Sequence, residues 1–215
     1  MAVPASGPIS ISDLKAAFPA INSNSLSAYR GTKWYRSNNS RGNFGNPTIS
    51  MSESYDTRPT NPVTPGSATY YGTTNFTIPL FNTLSITCKG GNGGGAGVYG
   101  VDGCNGNTPT SSGSGGAGGT SYFGGYLSAS GGAGGTGNGG GGSSGATTSR
   151  SLYITDNDQS LVSIQGSVIT IGVGGGGGGG SGGENKFLYN FWCYTGSPQP
   201  SGSAGAAGYV SVSWS

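Results

Sequence analysis

Few side chains in this sequence could take part in acid–base or nucleophilic chemistry. The chain has 215 residues, of which none is histidine and only seven carry a carboxylate. Catalytic triads that use histidine, histidine metal sites and imidazole acid–base catalysis are therefore excluded. Asp156 and Asp158 could form a carboxylate pair or bind calcium, but a polar turn is the better interpretation of these residues. We expect no enzyme activity, no cofactor and no metal site.

The phosphate-binding and nucleic-acid-binding signals are weak. Residues 113–118 match the pattern GxGxxG, but no helix pattern follows them and the composition makes such a match ordinary. The net charge is only +2, which is too small for a surface that neutralises many phosphates. We expect no nucleic-acid partner.

Three cysteines, Cys88, Cys104 and Cys193, are the remaining reactive groups. Their spacing does not match a zinc motif, and the odd number excludes a framework in which every cysteine is paired within the chain. Buried free thiols are the first interpretation, with a single bridge between Cys88 and Cys104 as the alternative.

Glycine is the most abundant residue, at 47 of 215, so glycine-rich segments must form much of the scaffold that positions any site. Ten of the twelve residues at 172–183 are glycine, and 26 more glycines lie in 90–145. Ordering these backbones costs roughly 1–2 kcal/mol per residue. One ordered form suits glycine: helices with three residues per turn that pack side by side where no Cβ fits. We expect 174–183 to pack in this way with 113–119 and 131–145. A β-sandwich with disordered glycine loops remains the alternative.

Alternating segments frame the glycine. Residues 83–89 place Leu84, Ile86 and Cys88 on one face, and 75–81, 167–173 and 208–214 also read as strands. Shorter apolar segments at 152–155 and 161–164 flank the Asp156 turn. We expect the strands before and after 172–183 to meet and bury their apolar side chains, which are Ile169, Ile171, Val210 and Val212.

The first 58 residues read as a separate small unit. Ser12 is a candidate helix N-cap, with Leu14, Ala17 and Phe18 on one helix face and Pro19 as the stop. An Ile-Ser-x-Ser core occurs at Ile9 and again at Ile49. Prolines at every third position of 59–65 predict an extended linker. The predicted organisation is 1–58 as the first unit, 59–69 as the linker and 70–215 as the glycine-rich domain.

Aromatic residues are concentrated between the glycine segments. They could pack against the glycine domain or form an exposed recognition surface, and 186–194 is the segment most suited to a surface. The candidate surface residues are Tyr99, Tyr122, Phe123, Tyr126, Phe187, Tyr189, Phe191, Trp192 and Tyr194. A second basic and aromatic segment, 29–36, could be a solvated loop with Trp34 packed inward, a docking surface for a protein or a nucleic-acid contact.

Three features together resemble a known group of proteins. They are Gly7-Pro-Ile-Ser-Ile-Ser-Asp-Leu14 with its echo at 46–53, the strand 84–89 that runs into Gly90-Gly-Asn-Gly-Gly-Gly95, and 171–176 with the final strand 208–214. This combination resembles the glycine-rich tail proteins of tailed bacteriophages, among them tail-fibre adhesins and baseplate or tail-tip components. The resemblance covers nearly the whole chain.

The resemblance implies a mainly β fold in which a small N-terminal attachment module precedes a glycine-rich β-sandwich with polyglycine-II-type helices. It also implies a virion tail protein that binds other tail or baseplate proteins through 1–58. Its distal loops would bind a bacterial surface receptor, which is a protein or a polysaccharide. The residues assigned to virion attachment are Ile9, Ile11, Leu14, Phe18, Trp34, Tyr35, Ile49, Met51 and Tyr55.

The expected location of the protein follows from the same resemblance. No secretory signal and no membrane span are expected, since the first residues lack both a charged and an apolar region and no apolar run approaches ~20 residues. The protein would then be made in the host cytoplasm and released by lysis. A monomer or a homotrimer is compatible with the sequence. A purely structural tail component is the second reading, and an antifreeze-like or extracellular matrix protein is a remote third.

Overall fold

The computed structural model describes residues 2–4, 8–21, 23–45, 56–58, 61–156 and 158–215. Over these residues the protein is mainly β, with one short α-helix, α1 (Ile11–Ala17), and two 3-10 turns at Leu26–Tyr29 and Ser160–Ile164. The strands are β1 (Lys33–Tyr35), β2 (Arg41–Asn43), β3 (Gly66–Tyr70), β4 (Thr74–Thr77), β5 (Thr83–Lys89), β6 (Val101–Asp102), β7 (Thr108–Pro109), β8 (Ser121–Phe123), β9 (Leu127–Ala129), β10 (Thr147–Tyr153), β11 (Val168–Gly172), β12 (Lys186–Tyr189), β13 (Trp192–Thr195) and β14 (Tyr209–Trp214).

The N-terminal part, which comprises the described residues of 2–58, packs around α1 and the antiparallel pair β1–β2. A capping box begins α1: the Ser10 N–H donates to Asp13 Oδ2 at 2.7 Å, and the Asp13 N–H donates to Ser10 Oγ. The Ser10 hydroxyl also donates to Asp13 Oδ2 at 2.7 Å, and this bond together with the one from the Ser10 N–H lowers the pKa of Asp13. Ser12 was predicted as the N-cap, which is wrong, because Ser10 completes the reciprocal pair with Asp13. The helix ends before Pro19 as predicted.

A separate small core holds this part together. Leu14, Phe18, Tyr29 and Phe44 are buried in it, and the last three rings meet edge to face. Trp34 packs partly buried against the same core, as the sequence indicated, but it lies in strand β1 and not in a loop.

Two four-stranded sheets face each other in the second part and enclose the main core. Their orders are β10-β5-β14-β3 and β4-β11-β8-β9. The predicted face of β5 is confirmed, since Leu84, Ile86 and Cys88 are all buried. The strands that flank 172–183 share this core but do not pair, because β11 joins β4 and β8 while β14 lies between β5 and β3.

One boundary differs from the sequence prediction. Residues 66–69, predicted as linker, form most of β3 and pair with β14. The apolar segment 161–164 lies in a 3-10 turn. Asp156 and Asp158 bond to protein groups, as in the polar turn that the sequence favoured: Asp156 pairs with Lys33, and Asp158 accepts the backbone N–H of Ser160, which lowers the pKa of Asp158.

Six extended backbone runs leave the sandwich on one side, and each is named here by its residues: run 1 (90–98), run 2 (113–119), run 3 (130–136), run 4 (140–146), run 5 (174–183) and run 6 (199–208). The N–H groups of run 1 follow a repeat of three. The N–H groups of residues 90, 93 and 96 donate to carbonyl groups of run 4. The N–H groups of 91, 94 and 97 donate to run 2, and the N–H groups of 92, 95 and 98 donate to run 6. These nine bonds are 2.7–3.2 Å long.

Run 1 is the centre of this group. Runs 3 and 5 donate to its carbonyl groups at the same spacing, so five runs surround it. The direction of the chain alternates, because the registers make runs 2, 4 and 6 antiparallel to run 1, and runs 3 and 5 parallel to it. Between runs 4 and 6 no other described run approaches, and there the Asn92 side chain accepts the N–H of Gly145 at 3.1 Å.

The N-terminal part contacts the sandwich at the end opposite the runs. Asn39 is fully buried, and its side-chain amide donates to the Phe81 carbonyl at 2.6 Å and to Gln165 Oε1 at 3.2 Å. Arg41 donates to Asn82 Oδ1 at 2.6 Å. Because Asn82 precedes β5 and run 1 follows it, the order along the molecule is N-terminal part, sandwich, runs.

Candidate functional site

The strands β12 and β13 form an antiparallel hairpin at the far end of the runs, called the tip hairpin below (186–195). Run 5 leads directly from the sandwich into β12. Asn190 and Phe191 make the turn, with φ of 49° and 66°, as a two-residue hairpin turn of the primed type requires. The nine steps between residues 174 and 183, at ~3.1 Å each for an extended run, place the tip about 28 Å beyond the sandwich.

The register of the tip hairpin places four aromatic side chains on one face. Phe187 pairs with Tyr194 and Tyr189 with Trp192. Since side chains two residues apart share a face of a strand, these two cross-strand pairs lie side by side. We call the four side chains the aromatic face. Lys186, Leu188 and Cys193 point to the other side.

The aromatic face is open to solvent. Its four rings are 46–72% exposed, and Phe191 in the turn is 98% exposed. The rings of Phe187 and Tyr194 are stacked with centroids 5.7 Å apart, and Tyr189 meets Tyr194 edge to face at 6.4 Å. Large apolar side chains at this exposure are an expected feature of binding surfaces.

The tip hairpin is held from its other side. A disulfide joins Cys193 to Cys104, and β12 pairs in parallel with β6 at Lys186 and Asp102. The Gly103 N–H donates to the Lys186 carbonyl at 2.8 Å, and Asn185 Oδ1 accepts the Val101 N–H at 3.1 Å. Covalent and backbone links therefore fix the hairpin to the loop between runs 1 and 2.

The disulfide corrects the prediction for the cysteines. Cys104 bonds to Cys193, 89 residues away, and Cys88 is the free thiol. Burial in the sandwich core raises the pKa of Cys88 to about 11. Asp102 lies close to Cys104 and Cys193, but both sulfurs are used by the bond and offer no thiolate to a metal.

Charge is sparse at the tip. Lys186 lies 3.9 Å from Asp102, and Glu184 is the other charged side chain in 184–199. Asp102 also accepts the Cys104 N–H at 3.0 Å. The surface around the aromatic face is thus close to neutral, with asparagine, serine and threonine as its main polar groups.

The structure separates the nine predicted surface residues into two groups. The four residues of the aromatic face and Phe191 lie at the tip, and Tyr99 lies at the same end, where its backbone N–H donates to Asn138 Oδ1 at 2.8 Å. Tyr122, Phe123 and Tyr126 lie in the sandwich, at the opposite end of the runs. The prediction for Phe123 is wrong, because its ring is fully buried in the core. Tyr126 is partly buried against Phe123, and Tyr122 pairs with Gly172 at the base of run 5.

The residues predicted for virion attachment also divide. Leu14 and Phe18 are buried in the core of the N-terminal part, so they stabilise it and cannot contact a partner. Ile9, Ile11 and Trp34 pack partly buried against that core. Tyr35 is partly exposed, with Lys33 and Arg41 each 5.6 Å from its ring centroid. Ile49, Met51 and Tyr55, and with them the second Ile-Ser-x-Ser core, lie outside the described residues.

Two features of the site could not be anticipated from the sequence. Leu188 is 57% exposed on the reverse face of the tip hairpin, although its neighbours suggested a continuous aromatic segment. The pairing of Cys104 with Cys193 depends on runs 1 and 5 ending at the same level. The one local signal was the alternation Phe-Leu-Tyr and Trp-Cys-Tyr around Asn190.

Comparison with known proteins gave no match: no protein-family model, no curated protein and no solved structure is similar to this chain. Among the described residues no helix has the length and apolar character needed to cross a membrane.

Proposed function

We propose that this chain is a tail protein of a tailed-bacteriophage virion that attaches the virion to a bacterial surface through the tip hairpin. The observation that carries the proposal is the aromatic face. Four rings lie exposed on one side of a braced hairpin, about 28 Å beyond the sandwich at ~3.1 Å per residue. A site used for binding needs a rigid support of this kind.

We also propose that the six runs are polyglycine-II helices. The repeat of three in the hydrogen bonds of run 1 matches a helix with three residues per turn. The glycine positions add support, because a Cβ on Gly91, Gly94 or Gly97 would overlap a backbone carbonyl of run 5. Packed helices of this kind would make the support stiff.

The N-terminal part is the proposed attachment module. It lies at the end of the molecule opposite the tip, and its contacts with the sandwich at Asn39, Arg41 and Lys33 fix its orientation. Its partners would be other tail, fibre or baseplate proteins. We propose no catalytic role for the chain, because the exposed tip offers aromatic rings and amides but no histidine and no close carboxylate pair.

Adsorption of virions to host cells tests the proposal. Virions that carry Trp192→Ala with Tyr189→Ala should assemble normally and adsorb at least about tenfold more slowly, since a few large aromatic residues dominate most binding surfaces. Tyr153→Ala is the matched control, because Tyr153 is similarly exposed but lies on β10 of the sandwich. Its adsorption should be unchanged.

Normal adsorption by the double variant would contradict the receptor-binding role. If loss of 1–58 then prevented incorporation into virions while changes at the tip stayed silent, the chain would be a structural component of the tail.

A further inference from the structure

We propose that the ligand of the aromatic face is a neutral saccharide chain, bound by stacking of its sugar rings on Trp192 and Tyr189, with the Tyr194 hydroxyl as a hydrogen-bond partner. This inference rests on the proposed function for the location of the surface. It adds the chemical class of the ligand, which the receptor-binding role alone leaves open between protein and polysaccharide.

The chemistry of the rings supports a sugar. A pyranose has faces made of C–H groups and an edge of hydroxyl groups, and the C–H groups are attracted to the negative face of an aromatic ring. The face offers hydrogen-bond partners for the hydroxyl edge as well. Within the part of the chain that the structure describes, the phenol groups of Tyr189 and Tyr194 and the indole N–H of Trp192 bond to no protein group.

The lack of unpaired charge at the aromatic face argues against charged ligands, which are acidic saccharides and basic peptides. The Lys186 ammonium has Asp102 at 3.9 Å, and the aromatic face itself carries no charged side chain. A phosphate-rich or strongly acidic saccharide would need several cations, and a basic peptide would need carboxylates. An uncharged ligand is the one that this surface can desolvate at low cost.

The shape of the hairpin fits an extended ligand. Like-facing positions along one strand lie about 6.8 Å apart, twice the rise of a strand residue. The two cross-strand pairs therefore present rings over a flat strip and not in a closed pocket. Successive sugar units of a chain could contact successive rings, so affinity should increase with the length of the oligosaccharide.

Titration calorimetry of the full-length protein with neutral oligosaccharides tests this inference. The probes are linear oligomers of glucose, mannose, galactose and N-acetylglucosamine, each with two and with six units. We expect the longer form of at least one series to bind with a Kd below about 1 mM and more tightly than the shorter form.

Three variants identify the site. Trp192→Ala should weaken binding at least about tenfold, Trp192→Phe should restore part of it because a ring remains, and Tyr153→Ala should leave it unchanged. Intact Cys104–Cys193 bonding in each variant, checked by mass, shows that the tip is still closed. Absence of binding to all series, or equal binding by Trp192→Ala, would overturn the proposal.

Treated cells separate this inference from the proposed function. If the receptor is a saccharide, periodate oxidation of host cells should abolish adsorption of wild-type virions, and protease treatment should not. Adsorption that depends on Trp192 but is lost after protease and survives periodate would retain the attachment role and reject the saccharide. If the protein bound a saccharide but virions with Trp192→Ala adsorbed normally, the saccharide site would be retained and the attachment role would be rejected.

Discussion

Gly177 in run 5 faces the backbone carbonyl oxygen of Gly116 in run 2 so closely that a Cβ atom on Gly177 would overlap it. Its neighbour Gly178 has open space in the corresponding direction, with no atom within 4 Å of a Cβ placed there. Two adjacent glycines in one run therefore have different steric requirements.

This difference gives the first prediction. Gly177→Ala should lower the free energy of unfolding by at least about 3 kcal/mol, or prevent folding, because the obstacle is backbone and cannot rotate away. Gly178→Ala should be neutral or stabilise by up to about 1 kcal/mol, since alanine restricts the unfolded chain. Urea unfolding of the two variants measures both values. Equal effects would mean that run 5 is a loop whose neighbours are not fixed.

The second prediction concerns the disulfide. Without the Cys104–Cys193 bond, a few backbone hydrogen bonds around β6 remain to hold the tip hairpin. Replacement of both residues by serine should therefore speed hydrogen exchange at 186–195, while exchange in β5 and β14 stays slow.

Reduction provides the control for that experiment. A reducing agent should reproduce the faster exchange in the wild-type protein and add nothing in the double serine variant. Cys88 should not react during reduction, because it is buried in the core and its pKa is raised to about 11. Unchanged exchange at the tip after loss of the bond would show that the hairpin is ordered by its backbone contacts alone.

The third prediction concerns Gln165, which bridges the N-terminal part and the sandwich. Its Oε1 accepts from Asn39 Nδ2 and from the Phe81 N–H, and its Nε2 donates to the Asn38 carbonyl. Gln165→Ala leaves the buried Asn39 amide with fewer partners, so we expect a loss of about 1–3 kcal/mol. Cleavage by a protease within 61–65 should become faster.

Gln199→Ala is the matched control, since within the described chain the Gln199 side chain makes no hydrogen bond and it lies near the tip. Cleavage at 61–65 should keep its wild-type rate in this variant. If Gln165→Ala also kept that rate, the two parts would be held together by contacts other than this bridge.

The fourth prediction concerns the stacked rings of Phe187 and Tyr194. A double-mutant cycle with alanine at both positions should give a coupling energy of about 0.5–1.5 kcal/mol for hairpin opening, measured by hydrogen exchange of the Tyr189 N–H, which faces β13 at a hydrogen-bonded pair. A cycle between Phe187 and Tyr153 should give none, because these residues lie on different sheets. A coupling near zero for the first pair would mean that the rings move independently.

The sequence predicted the sandwich strands well where alternation was clean. The bounds of β5 are those predicted, and Val210 and Val212 are buried as expected. At 161–164 the sequence predicted only an apolar segment, and this segment packs against the sandwich core as a 3-10 turn. Periodicity reports burial, and a short segment beside a polar turn can be partly buried in either conformation.

The candidate site was predicted in part. The sequence left packing and exposure open for the aromatic residues and gave 186–194 as the segment most suited to a surface, and this segment is exposed. Phe123 could not be told apart from them, since its burial depends on β8 joining β11 inside the sandwich. The sequence favoured 174–183, the longest glycine segment, as the one around which the others pack. In the structure run 1, which contains Asn92 and Ala96, is the central one. Neighbour number is a property of the three-dimensional arrangement and leaves no mark on composition.

The position of β14 between β5 and β3 has a consequence for how the chain folds. The sheet cannot close until residues near 66 meet residues near 214, and run 1 cannot gain its neighbours until run 6 has been synthesised. Contacts between residues so far apart in sequence make folding slow, because the chain loses the entropy of loop closure before these contacts can stabilise it. The sandwich and the runs are therefore expected to stay incomplete in the nascent chain until β14 has been synthesised, whereas the N-terminal part, which has its own core, can fold earlier. Chaperone binding to the incomplete sandwich would be a natural requirement during that interval.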